Sequence, residues 1–356
     1  MRKYSAAVVG GGSGGRLSLT ALSRSPRFEL VAAADLRPEV CAELKMQYPG
    51  VETFQSHREM FKSRPTDIVC VSTFPPSHRD VTVDALSLPL KGILVEKPLG
   101  DTAGAGREIL ARIRERGLPM AVPHGLLVAP HALEILQRVH AGEIGQLMLV
   151  EIENSRWDII NAGIHWLNFF VALTQAEPID HVLSACESST RTYRDGMQVE
   201  TTAVTSVQTR GGVRCLMTTG DHVQILPPEK STSFRLFGTK GTIEFWGWNS
   251  QYRIRNEQHA SGTLIESAPG ERPGHQIHLE NLVAQMDEGR PDYRIAESSQ
   301  MALELCEAAY LSSRHRCKVA FPLEAFAIPA DINWDPGKPY SGSGGGRDGR
   351  KLESAS

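Results

Sequence analysis

The run Ala6-Ala7-Val8-Val9-Gly10-Gly11-Gly12-Ser13-Gly14-Gly15 constrains the fold of this chain more than any other stretch. Four apolar residues lead into glycines spaced Gly10-x-Gly12-x-x-Gly15, and a helix-compatible segment, Arg16 to Arg24, follows. A second apolar run, Leu30 to Ala34, ends on Asp35. Strand, tight turn, helix and second strand in this order form a dinucleotide-binding fingerprint. The first glycine permits the turn, the second lets backbone approach a pyrophosphate, and the third lets helix and strand pack closely. The pyrophosphate is expected on the amides of Gly10, Gly12, Ser13, Gly14 and Gly15, where unpaired N–H groups and the helix macrodipole both favour an anion. Asp35, about 20 residues past the last glycine, is placed to accept hydroxyls of the adenosine ribose. Glycines also cluster in ordinary loops, but the flanking strand, helix and acid favour the nucleotide reading.

The same alternation continues. Helices are expected from Arg37-Pro38 to Met46, from Ser77 (as N-cap) to Leu86, and from Ala103 to Arg116. Asp67–Ser72, Gly92–Glu96 and Pro119–Val122 read as further strands. They are nearly continuous apolar runs, as in parallel strands buried on both faces. This makes residues 1–123 a Rossmann domain, an α/β doubly wound parallel sheet, with Glu96-Lys97-Pro98 after its fourth strand. Residues 124–330 read as an α+β domain on a mostly antiparallel or mixed sheet. Its Val- and Thr-rich strands, including Val199–Thr209 and Val213–Thr219, are joined by glycine turns, and two closing helices follow near 275–288 and 296–314. A C-terminal extension, 331–356, is Gly/Ser-rich and expected to be disordered from about 341.

Composition narrows the function classes. Formal net charge is −3, which favours neither nucleic acid nor an anionic membrane as partner. No apolar run nears the roughly 18 residues of a membrane span. The first strand follows Met1-Arg2-Lys3-Tyr4 directly, an arrangement expected of a chain with no signal peptide. Six dispersed cysteines without a CxxC pair read as reduced thiols of a cytoplasmic protein, with no metal site.

Chemistry is expected at the carboxyl ends of the parallel strands, where open sheets bind ligands. Lys97 is so placed: its ammonium can hold a hydroxyl, polarise a carbonyl or join a proton relay. Thr73, Pro75 and His78 belong to a loop expected beside the nicotinamide ribose, and Arg37 follows Asp35. In Trp157-Asp158-Ile159-Ile160-Asn161-Ala162-Gly163-Ile164-His165 a polar cluster precedes an apolar helix. His165 titrates near neutrality and can exchange a proton with an alcohol. Asn161 would share its helical face, and Trp157 and Asp158 are candidates to line a pocket. Buried structural roles for these same side chains are the competing reading.

These pieces together resemble the Gfo/Idh/MocA family of nicotinamide-dependent oxidoreductases. The glycine fingerprint, Thr73-Phe74-Pro75-Pro76-Ser77-His78, Glu96-Lys97-Pro98, Gly142-Glu143-Ile144-Gly145, Asn161-x-Gly163-x-His165 and Gly238-Thr239-Lys240-Gly241 occur in the family's order, over roughly residues 5 to 323. The resemblance implies a Rossmann domain followed by a domain with a large open sheet that builds homodimers or homotetramers. It implies NAD as cofactor (Arg16 and Arg37 leave room for NADP) and a sugar, glycoside or cyclitol as small-molecule substrate. Lys97 matches the residue that orients substrate, His165 the catalytic acid/base, and Glu96 a residue near the nicotinamide ribose. Two departures stand out. Asn161 replaces a frequent aspartate, and His124-Gly125-Leu126-Leu127-Val128 replaces a segment that usually carries aromatic residues and arginine, which makes His124 a candidate substrate contact. Three activities follow from the resemblance: alcohol–ketone interconversion, a redox-cycling lyase or glycosidase with tightly held NAD, or a non-catalytic NAD(P)-binding regulator.

Overall fold

In the computed structural model, Tyr4–Val9 forms strand β1, and its apolar side chains are buried toward both faces of a sheet. The residues described are 2–187, 192–226 and 230–329; the expectation for the tail beyond 341 falls outside them. Helix α1 (Ser13–Arg24), strand β2 (Phe28–Ala34) and helix α2 (Pro38–Gln47) follow as expected. Strand β3 (Glu52–Phe54) and helix α3 (His57–Ser63) then precede β4 (Ile68–Val71), α4 (Pro75–Ala85), β5 (Gly92–Val95), α5 (Ala103–Glu115) and β6 (Met120–Ala121). The sheet runs β3-β2-β1-β4-β5-β6 with all pairs parallel.

Two readings of this half are corrected. Because the short β3 lacks an apolar run, the sequence reading passed over it, and Glu96-Lys97-Pro98 follows the fifth strand, not the fourth. Helix α4 starts at Pro75, with Phe74 as N-cap in place of Ser77. Two prolines supply the helical φ of the first turn, where the missing N–H groups need no partner.

Strand order reverses between β1 and β4, and the ligand crevice of such sheets opens there. Packing at this point explains two of the glycines. Gly10 has φ +101°, and a Cβ on it would lie 2.2 Å from the Ser72 carbonyl oxygen. A Cβ on Gly15 would lie 1.8 Å from the Gly10 carbonyl oxygen.

Helix α6 (Pro130–His140), β7 (Leu147–Ser155), a π turn at Ile159–Gly163 and α7 (Ile164–Leu173) open the second half. Strands β8 (Ile179–Cys186), β9 (Thr192–Arg194), β10 (Met197–Val199), β11 (Thr202–Thr209), β12 (Arg214–Gly220), β13 (Thr232–Gly238), β14 (Thr242–Phe245), β15 (Gln251–Arg255) and β16 (Thr263–Glu266) follow. After helices α8 (Gly274–Glu288) and α9 (Arg294–His315) comes β17 (Val319–Ala320). Nine strands form one sheet in the order β16-β15-β14-β13-β7-β12-β11-β8-β17, mixed because β7 and β12 pair in parallel. The run read as one strand from Val199 is split: β10 ends there, Glu200 turns inward, and β11 begins at Thr202.

Alternation along these strands sends one set of side chains inward. Phe234 stacks on Phe245 at 4.3 Å, and Phe169 of α7 meets both edge-on. The opposite face leaves Met148, Leu183, Val204, Leu216 and Leu264 exposed. Helix α8 returns to the parallel sheet: Leu279, Leu282 and Val283 join its core, and Gly92 admits the helix because a Cβ would lie 2.8 Å from the Met286 sulfur. Helix α9 packs between α7 and α5. The two sheets therefore share their closing helices, and the crevice lies between them.

Candidate active site

The cradle begins at the N-terminus of α1. Its first amides lack intrahelical acceptors, and Gly12 as N-cap brings no side chain to cap them. A Cβ on Gly12 would meet nothing within 4 Å, so the protein itself does not require glycine there. That open volume over unpaired N–H groups fits a dinucleotide pyrophosphate. Asp35 at the end of β2 accepts the Gly11 amide at 2.8 Å and the Arg37 side chain through both oxygens. Burial pushes the Asp35 carboxyl up, but those bonds hold it below its usual range. Beneath α1 lies Glu96, buried, with Oε1 accepting from His275 Nε2 at 2.6 Å. A Cβ on Gly14 would lie 3.2 Å from the same oxygen, so glycine there lets the helix turn sit on the carboxylate. Burial raises the Glu96 pKa, but the hydrogen bond and charge of His275 and the charge of Lys97 outweigh it.

Lys97 extends from the end of β5 and donates Nζ–H to the Asn161 carbonyl oxygen at 2.9 Å. This carbonyl is available because the chain forms a π turn, closed by Gly163 N–H to Asp158 O at 3.0 Å, five residues apart. Burial pushes the Lys97 ammonium pKa down, while Glu96, Asp195 and Asp158 pull it up. One turn on, His165 faces His124 (5.4 Å between ring centroids, edge-on) and Trp248 (5.4 Å, edge-on). Its Nδ1 is buried and finds no partner among the described residues. Burial, then the charge of Lys97, then His124 and His275 hold its pKa well below 6.5, so the imidazole is neutral. A neutral imidazole with an unclaimed nitrogen beside an ammonium can take a proton from a hydroxyl that the ammonium holds.

Other residues from the sequence reading sit differently. His78 is fully buried and spans the Thr73 and Pro98 carbonyl oxygens, each at 2.9 Å, so no ring edge remains for a cofactor. It braces the loop after β4 against the loop after Lys97. Pro75 is buried in the first turn of α4, and Thr73 Oγ1 accepts from Ser77 at 2.8 Å. The Asn161 side chain donates to Asp158 Oδ1 at 2.9 Å, so its backbone carbonyl, not its amide, meets Lys97. Asp158 also caps the π turn at the Asn161 amide and pairs with Arg194, whose guanidinium lies over the Trp157 ring at 4.9 Å. His124 is buried against Ser299 of α9 at 2.8 Å.

Sequence reasoning missed His275, Arg194 and Trp248. They reach the site from elements remote along the chain and carry no local motif. A Cβ on Gly125 would lie 3.0 Å from the Trp248 ring, so Gly125 seats the indole.

Fold, cradle and site together define an NAD-binding oxidoreductase. Residues 4–124 match the model described as an oxidoreductase family with NAD-binding Rossmann fold. The rhizopine catabolism protein MocA of Rhizobium meliloti is 24% identical over 328 residues, 87% of this chain and 95% of that protein. Inositol 2-dehydrogenase of Rubrobacter xylanophilus is 30% identical over 171 residues, 44% of this chain and 48% of that protein. Levoglucosan dehydrogenase, solved with NADH and levoglucosan, shares the fold with a TM-score of 0.78 at 14% identity, over 90% of this chain and all of the other. Over residues 4–124 the chain is therefore similar to the Gfo/Idh/MocA family of oxidoreductases.

Proposed function

We propose that this enzyme interconverts a secondary alcohol and a ketone on a ring polyol: a sugar, glycoside or cyclitol. The observation that carries the reading is Lys97, with its ammonium on the Asn161 carbonyl, beside neutral His165 with an orphaned ring nitrogen. The inositol 2-dehydrogenase relative supports the substrate class. Bound NAD supplies the hydride acceptor or donor. Lys97 holds the substrate oxygen and favours the developing alkoxide, and His165 takes the hydroxyl proton, returning it in the reverse direction. Trp248, half-exposed and edge-on to His165, offers an apolar wall for the C–H face of a ring.

In this reading Gly10, Gly12, Ser13, Gly14, Gly15, Asp35 and Glu96 hold the cofactor. The Asp35–Arg37 pair favours NAD, since a 2′-phosphate would meet the carboxylate. Residues 1–123 serve cofactor binding and 124–330 substrate binding, while the exposed apolar face of the nine-stranded sheet builds a homodimer or homotetramer. The six free thiols fit the cytoplasm. Sugars, glycosides and inositols screened for NAD and NADP reduction test the proposal. Turnover of a ring polyol is expected. Turnover of an amine alone would overturn it, as would product formed with no change in reduced nicotinamide, the mark of a redox-neutral elimination.

A further inference from the structure

The π turn that presents the Asn161 carbonyl to Lys97 is held from behind. Ile159, its first residue, donates its amide to Glu200 Oε1 at 2.8 Å. The other Glu200 oxygen accepts the Tyr310 hydroxyl at 2.6 Å. Cys306 Sγ lies 3.7 Å from the Ile159 carbonyl oxygen as donor. Glu200 stands between β10 and β11, and Tyr310 and Cys306 lie on α9. Neither the cofactor cradle nor the proposed proton transfer uses these three groups.

Glu200 is 6% exposed. Burying a carboxylate is costly, and burial does push its pKa up, with the nearby Asp158 charge adding to the effect. Hydrogen bonds from Tyr310 and the Ile159 amide oppose this. Such an acid persists where it makes bonds that a smaller neutral group would make less well, because bonds to a charged acceptor are the strong ones. Its two acceptor oxygens here join an element remote from the cofactor to the one peptide that starts the π turn. π turns are rare single-turn insertions, common at functional sites, and each adds one residue to the α-helical path. If the Ile159 peptide is released, the segment can relax to the ordinary i→i+4 pattern, which rotates the Asn161 carbonyl away from Lys97.

We propose that Glu200, braced by Tyr310, is a positioning residue for Lys97: it fixes the Ile159 peptide and so sets the Asn161 carbonyl as the acceptor of the Lys97 ammonium. The inference rests on Lys97 as the group that holds the substrate oxygen. It adds a requirement that the sequence around Lys97 does not contain.

The test uses full-length Glu200→Ala, Glu200→Gln and Tyr310→Phe enzymes. Lysines are reductively methylated with ¹³C-formaldehyde, and the Lys97 signal, identified by its absence in Lys97→Arg, is titrated by NMR. Glu200→Ala is expected to lower the Lys97 pKa, because the charged form loses its acceptor, and Glu200→Gln restores it through Oε1. Tyr310→Phe shifts it less, in the same direction. Glu200 borders a cleft of about 1050 Å³, so water can replace the missing carboxylate. With the polyol that wild type turns over best, kcat in Glu200→Ala falls about 10- to 100-fold while NAD affinity holds, since a displacement near 1 Å carries that cost. An unchanged Lys97 titration in Glu200→Ala overturns the inference. Should that variant not fold, an unchanged titration in Tyr310→Phe overturns it. If wild type turns over no polyol, the proposed function fails, yet the lysine titration still decides the positioning role.

Discussion

Gly12→Ala separates what the fold needs from what the cofactor needs. Gly10 and Gly15 are glycines for reasons internal to the protein, since a Cβ on either would strike backbone oxygen at 2.2 and 1.8 Å. Gly12 has no such reason: its φ is −74° in extended backbone, and its Cβ would enter open space. Alanine at a compatible position reduces the entropy of the unfolded chain, worth about 0.4–1 kcal/mol in favour of folding. At an N-cap, where alanine ranks well below glycine, it loses about 1 kcal/mol. The net change is within about 1 kcal/mol, a melting shift of no more than ~4 °C. For the cofactor the arithmetic differs. The methyl occupies the side from which a pyrophosphate reaches the α1 amides, and each charge-assisted hydrogen bond lost costs about 1.5–3 kcal/mol. One lost bond weakens NAD binding roughly 10- to 150-fold. Calorimetric titration of NAD with parallel thermal melts reads both quantities. An NAD affinity within threefold of wild type, in a stably folded variant, would refute the cradle. A melting point lowered by ten degrees would show that the fold itself requires Gly12.

The remaining predictions concern the site and its surroundings. Lys97→Met and His165→Gln each lower kcat by about 10²–10⁴ with NAD affinity retained, and the double variant loses little more than the worse single one, by steady-state kinetics. Acid should destabilise the protein early: burial holds the His278 pKa down at about 4, so its contribution is whole above pH 6.5 and is lost as pH falls through that window, about 3 kcal/mol in all. Urea midpoints between pH 8 and 4 check this, and His278→Gln flattens the curve. His275→Leu removes the partner that holds the Glu96 pKa down, so the acid limb of NAD binding moves to higher pH, as read by titration at several pH values. For the proposed oligomer, Val204→Lys on the exposed sheet face is expected to yield a smaller species by light scattering, because a charge there opposes burial against a second copy.

Much of the parallel half was legible because each signal is local. Val8, Val69 and Leu94 sit in short apolar runs, the glycines encode a turn by spacing, and the strand end exposes Lys97 to the crevice. Strand β3 was not legible, since three residues at a sheet edge leave no periodicity. His78 misled for a related reason. A histidine just after the expected N-cap of a helix looks poised for a ligand, and only the fold shows both ring nitrogens claimed by carbonyls. The site's supports were invisible in kind. His275, Trp248, Arg194 and Glu200 act across separations of 36 to 179 residues. No window of sequence contains such a pair.

What the fold adds is an order among charges that composition cannot express. Buried ions are tolerated when paired, and here Glu96 has His275, Asp158 has Arg194, and Lys97 has the Asn161 carbonyl. In this cluster His165, like His124 facing it, is left with a buried Nδ1 that has no partner among the described residues, and the neighbouring ammonium disfavours protonation of both. Such an imidazole is a weak base toward a free alcohol. It becomes an effective one only where Lys97 has already lowered the pKa of the hydroxyl by holding its oxygen. In the proposed reaction the same ammonium that makes His165 reluctant makes the substrate more acidic, so neither residue retains much of its effect without the other. That mutual dependence is the physical reason for expecting the Lys97 and His165 losses not to add.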